Sequence, residues 1–408
     1  MHLLIIGAGN DLPVLARRAS PGLRTSVICQ QRAVAYLREP ERIERLVVLP
    51  PAAPPAEWVA AGRYIHAAAP VERIANYTEY DTDKTAAIAE DLGLAAPAAE
   101  TYRLISDKCA MRSRLAAAGV DDTPAALVRS AAEVREFVAR AGYPLICKPV
   151  SGVGSRGVSL LAGDADIGAA LTRGQAGAVT LDERALMVER CHRGPEYSVE
   201  AVSERGRHLV ACVTRKYTDP EGFVEIGHVL PAPLAEGARR AIGDTVTAAL
   251  TALGVRDGIT HTEVLLDGGQ VRIIETHLRP GGDRIPAMLA RARGIDLENA
   301  LARQSVGQPV LAGIRRALRW PDRPAGYAAI WYAMPDRAGE LVRAGGGDAA
   351  AAIAGVREVA VLASPGDQVR AVTMSADRLG YAWATGPSPE RALGRARQAV
   401  AALRFEVR

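Results

Sequence analysis

Aromatic residues are scarce: Phe, Trp and Tyr make up 4% of the 408 residues. At that density a protein has few platforms on which to stack nucleic-acid bases. Net charge is scarce too, since 50 Lys and Arg against 46 Asp and Glu leave +4, a weak field over this length and no polyanion-binding surface. The five cysteines, Cys29, Cys109, Cys147, Cys191 and Cys212, form no CxxC pair and are odd in number, which argues against a disulfide framework and a structural zinc site. They read as small buried hydrophobes in a reducing cytoplasm. No apolar run approaches a membrane span. The start Met1-His2-Leu3-Leu4-Ile5-Ile6 runs into Gly7-Ala8-Gly9 without a basic region or cleavage site, so it does not read as a signal peptide. What remains is a chain long enough for two or three domains. It is expected to act on small molecules in the cytoplasm, with no nucleic-acid or membrane partner; a homodimer is compatible with these features.

The pattern along the chain predicts a mixture of α/β and α+β architecture. Residues 3 to 8 read as a buried parallel strand, and Gly7-Ala8-Gly9-Asn10 turns into a helical pattern with Leu12, Leu15 and Ala16 on one side. Strands at 25 to 29 and 46 to 49, a proline-rich stretch from 50 to 55 and a βα unit over 64 to 94 complete a Rossmann-like domain over 1 to 100. A central region over 101 to 315 opens with Ser106-Asp107-Lys108 as a helix start, then Met111, Leu115 and Ala118 at helical spacing, with Gly119 as the stop. Ser130 and Glu133 read as a capping box for a helix that buries Val134, Phe137, Val138 and Ala141. A strand over 145 to 150 follows, then short strands at 158 to 161, 186 to 190, 197 to 203 and 208 to 214, a helix from 236 to 253, a hairpin over 260 to 277 and helices from 285 to 305. From about 320 the alternation turns strand-like, at 328 to 332 and 356 to 362. A last helix has Ser388 as N-cap and Pro389 at its first position. These elements predict a separate C-terminal α+β domain over 316 to 408.

Gly152-Val153-Gly154-Ser155-Arg156-Gly157 matches GxGxxG, but a dinucleotide fingerprint must open a helix, and here the glycines run into the strand-like Val158-Ser159-Leu160-Leu161. The loop therefore reads as a hairpin tip, either an ordinary surface turn or a flap whose backbone N–H groups close over phosphates. Lys148 favours the flap, because a lysine inside the apolar strand Leu145-Ile146-Cys147-Lys148 needs an anionic partner. Lys108, a cation in a first helical turn, is a second candidate. The hairpin from Thr260 to His277 carries the sharpest signal. With Gly268-Gly269-Gln270 as a three-residue loop, Glu263 faces Glu275 at about 5 Å, a repulsive pair unless a cation lies between. A two-residue loop would place them on opposite faces. Hard oxygen ligands near phosphates favour Mg²⁺. His261 and His277 share that face, which keeps a histidine-rich transition-metal site as a minor alternative. Arg279 has the same facing and suits a phosphoryl group or a carboxylate. The turn at Pro280-Gly281-Gly282-Asp283-Arg284 leads into a helix whose N-terminal amides suit an anion.

In combination and order these motifs resemble the ATP-grasp superfamily over about residues 100 to 310. The resemblance implies a pre-ATP-grasp domain over 1 to 100 and an ATP-grasp domain over 101 to 315 with two α+β subdomains, the glycine-rich loop subdomain spanning about 120 to 188. It implies ATP and Mg²⁺, with Mn²⁺ as a substitute. Lys108 and Lys148 would be the phosphate-binding lysines; Ser151, Gly154, Ser155 and Val158 would belong to the loop over the β- and γ-phosphates. Glu189, Arg190 and Cys191 would lie on the hinge strand that hydrogen-bonds adenine, Glu196 would hold the ribose hydroxyls, and Leu265 and Ile274 would floor the adenine pocket. Glu263 and Glu275 would be the metal ligands. One departure is His277, where the superfamily commonly has asparagine. The biotin carboxylase signature is absent. Thr214-Arg215-Lys216, the segment from Phe223 to His228 and residues 320 to 408 are similar to L-amino acid ligases of the bacilysin type. That likeness implies an acyl phosphate made from an amino acid carboxylate and captured by an amine. Lys148, His228 and Arg279 would be catalytic, Arg279 stabilising the acyl phosphate. Lys216, His228, His277, Arg279, Gly281, Gly282 and Arg284 would surround the substrates. The alternatives are a carboxylase acting through carboxyphosphate, an oxidoreductase on the N-terminal sheet and a non-catalytic ATP-binding module.

Overall fold

The computed structural model describes residues 1–152, 154–177, 185–219, 223–319 and 326–408. Val153 of the glycine-rich loop and the change of texture near 320 lie outside them.

The N-terminal strands form a four-stranded parallel sheet in the order Arg45–Leu49, Arg24–Gln30, His2–Ile6, Arg73–Asn76. Leu3, Leu4, Ile5 and Ile6 are fully buried because helices cover both faces. Trp58, Ile65 and Ile88 pack on one face from Pro55–Ala68 and Thr82–Leu92. Leu12 and Ala16 pack on the other, together with Ala302 and Val306 from the region of helix Leu297–Ser305. The chain's central part thus completes the N-terminal core, and Tyr77 Oη donates to Ser305 Oγ at 2.7 Å across the seam.

Helix Ala99–Ser106, for which the sequence pattern gives no signal, precedes Lys108–Ala117. The carboxylate of Asp107 caps the latter by accepting from the Ala110 N–H at 2.9 Å. The capping box at Ser130 is half realised. Its hydroxyl accepts from the Glu133 N–H, but the Glu133 carboxylate returns to the amide of Arg129, one residue earlier. That helix lies over an antiparallel sheet in the order Ala125–Val128, Leu186–Arg190, Leu145–Pro149, Ser159–Leu161.

The main sheet is eight-stranded and antiparallel, in the order Gln270–His277, Gly258–Asp267, Glu196–Glu204, Arg207–Thr218, Glu225–Leu230, Tyr327–Ala333, Gly380–Gly386, Val356–Val361. Its last three strands come from the segment expected to stand apart. The boundary at 316 is therefore no break in the sheet. Strand Glu225–Leu230, also without a sequence signal, joins the two parts through His228 opposite Ile330 and Gly227 opposite Trp331. A Cβ at Gly227 would collide with the Trp331 ring. A small sheet of Gln368–Val369, Gly339–Gly345 and Arg404–Val407 and helix Pro389–Ala402, capped by Ser388, complete the C-terminal part. All five cysteines are free; Cys29, Cys147 and Cys212 are buried, whereas Cys109 and Cys191 are only half-buried. Burial pushes the Cys147 thiol up to about 12. No helix among the described residues is long and apolar enough to cross a membrane.

Candidate active site

The carboxylate hairpin turns on two residues, Gly268 and Gly269, at φ 55° and 92°. Asp267 therefore pairs with Gln270 rather than Val271. Continued inward, that register would put Glu263 and Glu275 on opposite faces. A β-bulge intervenes: one extra residue, Ile274, enters the second strand, and beyond it Glu263 pairs with Glu275 and His261 with His277. The expected three-residue loop is replaced by a tighter turn and a bulge. The facing carboxylates survive.

Each glutamate has its own cations. Glu263 takes Lys216 Nζ at 2.6 Å and has His261 Nε2 at 3.4 Å; Glu275 takes Lys108 Nζ at 3.0 Å and His277 Nε2 at 2.9 Å. Burial opposes their ionisation, yet Lys216 beside Glu263 and Lys108 beside Glu275 hold both carboxyls well below the usual range. Lys216 also lies 3.4 Å from Glu225 and 3.8 Å from Glu196. Burial would lower its pKa, but the three carboxylates raise it above the ordinary lysine value. Glu196, expected on the ribose, is pushed up by burial and by Glu263 and Glu225, against the pull of Lys216.

Several expected residues are committed to protein partners. Lys148 Nζ bonds Glu189 at 2.7 Å, and the second oxygen of Glu189 takes Arg112 Nε at 2.7 Å, so the Glu189 side chain is the counter-ion of two buried cations. The backbone amides of Arg190 and Cys191 donate to the carbonyls of Pro124 and Pro144, while both residues line the cleft. Ser155 Oγ donates to the Phe223 carbonyl at 2.8 Å. His228 Nε2 bonds Asp283 at 2.8 Å, and Arg378 holds both oxygens of Asp283 at 2.9 Å from beneath the Tyr332 ring. Gly281 N–H donates to Glu200 at 3.0 Å, and a Cβ there would lie 2.7 Å from His261 Nδ1, so this glycine serves close packing rather than substrate contact. Arg284 turns away to Glu358. Arg279 donates through Nε and Nη2 to Glu79 at 3.0 and 2.8 Å, and His277 Nδ1 lies 3.2 Å from the same oxygen.

A cleft of about 380 Å³ joins these groups. Gly154, Val158, Leu265, Ile274 and Gly282 line it, as do Lys108, Lys148, Arg279 and both hairpin glutamates. Ser151, Gly281 and Arg284 do not. The sequence reading omitted Glu79, Arg112, Asp121, Glu200 and Arg378. Arg112 alone had a local signal, since it shares a helical stripe with Lys108, Met111 and Leu115.

The residues fit a divalent ion with a nucleotide. Among the described residues no three His, Cys, Asp or Glu side chains converge as a metal cage. A Mg²⁺ bound through one or two carboxylates plus phosphate oxygens needs no such cage. Glu263 and Glu275 supply facing hard oxygen donors, and Lys108, Lys148 and Arg279 line the same cleft as cations for phosphate.

Two stability predictions arise here. Burial raises the Glu189 carboxyl, but Arg112 and Lys148 overcome it and bring it down to about 2. A depressed carboxyl stabilises the fold above its unfolded value, about 4.3, and that contribution is lost as pH falls through the folded one. Glu189→Gln should therefore be less stable at neutral pH and lose less stability between pH 4.5 and 2, read by urea unfolding at stepped pH; parallel pH profiles would refute it. Gly194 has φ 149°, and a Cβ there would collide with the Leu266 carbonyl. Gly194→Ala should cost about 2 kcal/mol or more in denaturant unfolding; an unchanged midpoint would show that the hairpin yields.

The ATP-grasp domain model matches residues 141–287, and the model for the L-amino acid ligase C-terminal domain 2 matches residues 331–408. The chain is 30% identical over 303 residues to an uncharacterized protein, y4rH, of Sinorhizobium fredii, covering 74% of this chain and 61% of that protein. It is thus aligned to less than two thirds of that relative's length. It is 30% identical over 339 residues to a formate-dependent phosphoribosylglycinamide formyltransferase of Paraburkholderia xenovorans, covering 79% of this chain and 76% of the relative. The structure of an L-amino acid ligase from Bacillus licheniformis shares the fold, with TM-score 0.83 at 22% identity over 100% of this chain and 98% of that one. With the facing glutamates, the lysines beneath the glycine-rich loop and these matches together, the chain belongs to the ATP-grasp family and carries an L-amino acid ligase C-terminal domain.

Proposed function

We propose that the substrates are an amino acid carboxylate and an amine, a second amino acid by preference, and that the product is a dipeptide or related amide made in the cytoplasm for a peptide natural product. The observation that carries this reading is the pair Glu263 and Glu275, brought opposite each other on one face with a lysine on each. A carboxylate oxygen attacks the γ-phosphorus of ATP and ADP leaves; the amine nitrogen attacks the acyl carbon, phosphate leaves, and the amine's proton passes to solvent. Such transfer depends on positioning and charge more than on covalent catalysis. Glu263 and Glu275 would hold Mg²⁺ or Mn²⁺, which neutralises phosphate charge when bound. Lys108 and Lys148, which line the cleft and are paired to Glu275 and Glu189, would turn to the phosphates when the nucleotide binds. Arg279 offers a planar fork to the acyl phosphate oxygens. His228, which lines the cleft beside Asp283 and whose buried Nδ1 lacks a partner among the described residues, would act on the substrates. The glycine-rich loop would exclude water that otherwise hydrolyses the acyl phosphate.

The test is phosphate release over pairs of amino acids with mass spectrometry of the product. An amide whose mass equals the two partners less water supports the proposal. ATP turnover that depends on bicarbonate and on no amino acid would replace it with the carboxylase reading.

A further inference from the structure

The facing of Glu263 and Glu275 depends on one irregularity, the extra residue Ile274. Nothing in the hairpin's own turn enforces it, because the Gly268-Gly269 turn sets the other register. The bulge lies on Gln270–His277, the edge strand of the eight-stranded sheet, where outward backbone groups have no neighbouring strand to bond. Two such groups are taken by side chains. The Ile273 N–H donates to Asp121 Oδ2 at 2.7 Å, and the Ile274 carbonyl accepts from Arg112 Nη2 at 3.3 Å.

Both partners are themselves fixed. The Asp121 side chain is fully buried, and its Oδ1 accepts from the Thr123 N–H at 2.9 Å and from Thr123 Oγ1 at 2.6 Å. Arg112 is held by Glu189, which also holds Lys148. Arg112 Nη1 lies 3.9 Å from Asp121. Asp121 Oδ1 also accepts from Arg272 Nη1 at 3.5 Å, so this buried carboxylate, costly unless paired, is tied to the bulged strand at a backbone amide and at a side chain.

We propose that Asp121 and Arg112 are positioning residues that clamp the Ile273–Ile274 bulge and thereby keep Glu275 opposite Glu263 for a divalent cation. This rests on the reading of the two glutamates as metal ligands. Asp121 touches neither the cation's carboxylates nor a substrate; it acts through the backbone of the strand. Without the clamp, the strand can relax to the register dictated by the two-residue turn, which carries Glu275 to the other face. The clamp also links the glycine-loop subdomain to the metal hairpin, since the chain Lys148, Glu189, Arg112 ends on the Ile274 carbonyl.

The experiment uses the full chain with Mn²⁺ and ADP as probes. Mn²⁺ binding is followed by electron paramagnetic resonance, ADP binding without divalent ion by calorimetry, and hydrogen exchange in a peptide spanning 270 to 277 by mass spectrometry. Wild type should bind Mn²⁺ with ADP, and Glu275→Gln should not; if wild type does not, the metal reading itself fails. Asp121→Ala should weaken Mn²⁺ binding about tenfold or more, as loss of a supporting partner does at metal sites. It should also speed exchange in the 270 to 277 peptide, with ADP affinity unchanged within about twofold. Asp121→Asn, which keeps an acceptor for the Ile273 N–H, should recover most of the Mn²⁺ affinity and covers the case in which Asp121→Ala does not fold. Asp122→Ala, which removes the exposed partner of Arg272 on the same strand but leaves the bond to the Ile273 N–H, should behave as wild type. Wild-type Mn²⁺ affinity in Asp121→Ala, or an equal loss of metal-free ADP binding, would overturn the clamp while leaving the metal reading in place. So would Asp121→Asn failing to recover Mn²⁺ affinity while folded.

Discussion

Glu275→Gln is expected to lower ATP turnover by about 10²- to 10³-fold, the scale on which removing one preorganised electrostatic group acts. The amide keeps the size of the side chain and its contact to His277, but a carboxylate held below its usual range is lost, so the variant should be less stable than wild type at neutral pH and turnover is compared where both are folded. What changes is charge. Glu275 is the partner of Lys108, which also reaches the Gly152 carbonyl at 3.0 Å. Neutralising it leaves a buried ammonium with neutral acceptors only, in a cleft that already holds Lys148 and Arg279. The site becomes more positive. ADP binding without divalent ion should therefore be unchanged or tighter, while the divalent-dependent gain is lost. Glu263→Gln should behave alike, and the double variant should be little worse than either single one if the two act as one site. Steady-state phosphate release against Mg²⁺ concentration, with calorimetry for ADP, checks all of this. Turnover within about tenfold of wild type in Glu275→Gln would place the cation elsewhere.

The same hairpin shows how far the sequence could be read. Its two glutamates were legible because charge repulsion between facing carboxylates demands an explanation whichever fold surrounds them. The turn was not, since Gly268-Gly269 and Gly268-Gly269-Gln270 both close a hairpin. The error in loop length was cancelled by the bulge at Ile274, which no local pattern announces. The N-terminal sheet was legible from its wholly apolar first strand. Strand Glu225–Leu230 was not, because its alternation is broken by Gly227 and His228, whose neighbours come from Tyr327–Ala333 a hundred residues later. The same long range hides Glu79, Glu200 and Arg378: each is an ordinary charged residue until the fold sets it against Arg279, His261 and Asp283. Arg112 was within reach. A helix that places Lys108, Met111, Arg112 and Leu115 along one buried stripe puts two cations into the core, and that requires acids opposite. Conversely, Lys148 was read as needing an anionic partner, and the fold supplies Glu189; Lys216 and His228, expected only among the substrate residues, also meet carboxylates of the protein, Glu263 and Asp283.

Arg279 is the second large effect. It is expected to be indispensable for amide formation and nearly silent in nucleotide binding. Its guanidinium donates twice to a single oxygen of Glu79, which comes from the N-terminal domain and is also approached by His277. Burial favours the protonated form of Glu79, yet His277 and Arg279 hold its carboxyl down at about 2. Glu79 thus stays an anion and holds the guanidinium at the cleft wall, with Nη1 on the Pro280 carbonyl, so a substrate anion has to displace Glu79 to take the fork. An incoming acyl phosphate brings more charge and more acceptor oxygens than one carboxylate, and two parallel N–H bonds to it are stronger than neutral ones. Arg279→Met should reduce product formation by about 10²- to 10³-fold with metal-free ADP affinity moved by less than about twofold. Arg279→Lys should recover little, because an ammonium on a flexible stem cannot supply the paired planar donors. Glu79→Gln should cost less than either, since the amide oxygen still accepts from the guanidinium although the charge that orients it is gone. The discriminating measurement is product formation at saturating ATP beside ADP titration for all three variants. If Arg279→Lys keeps more than about a tenth of wild-type rate, the fork geometry is irrelevant and Arg279 serves as a point charge only.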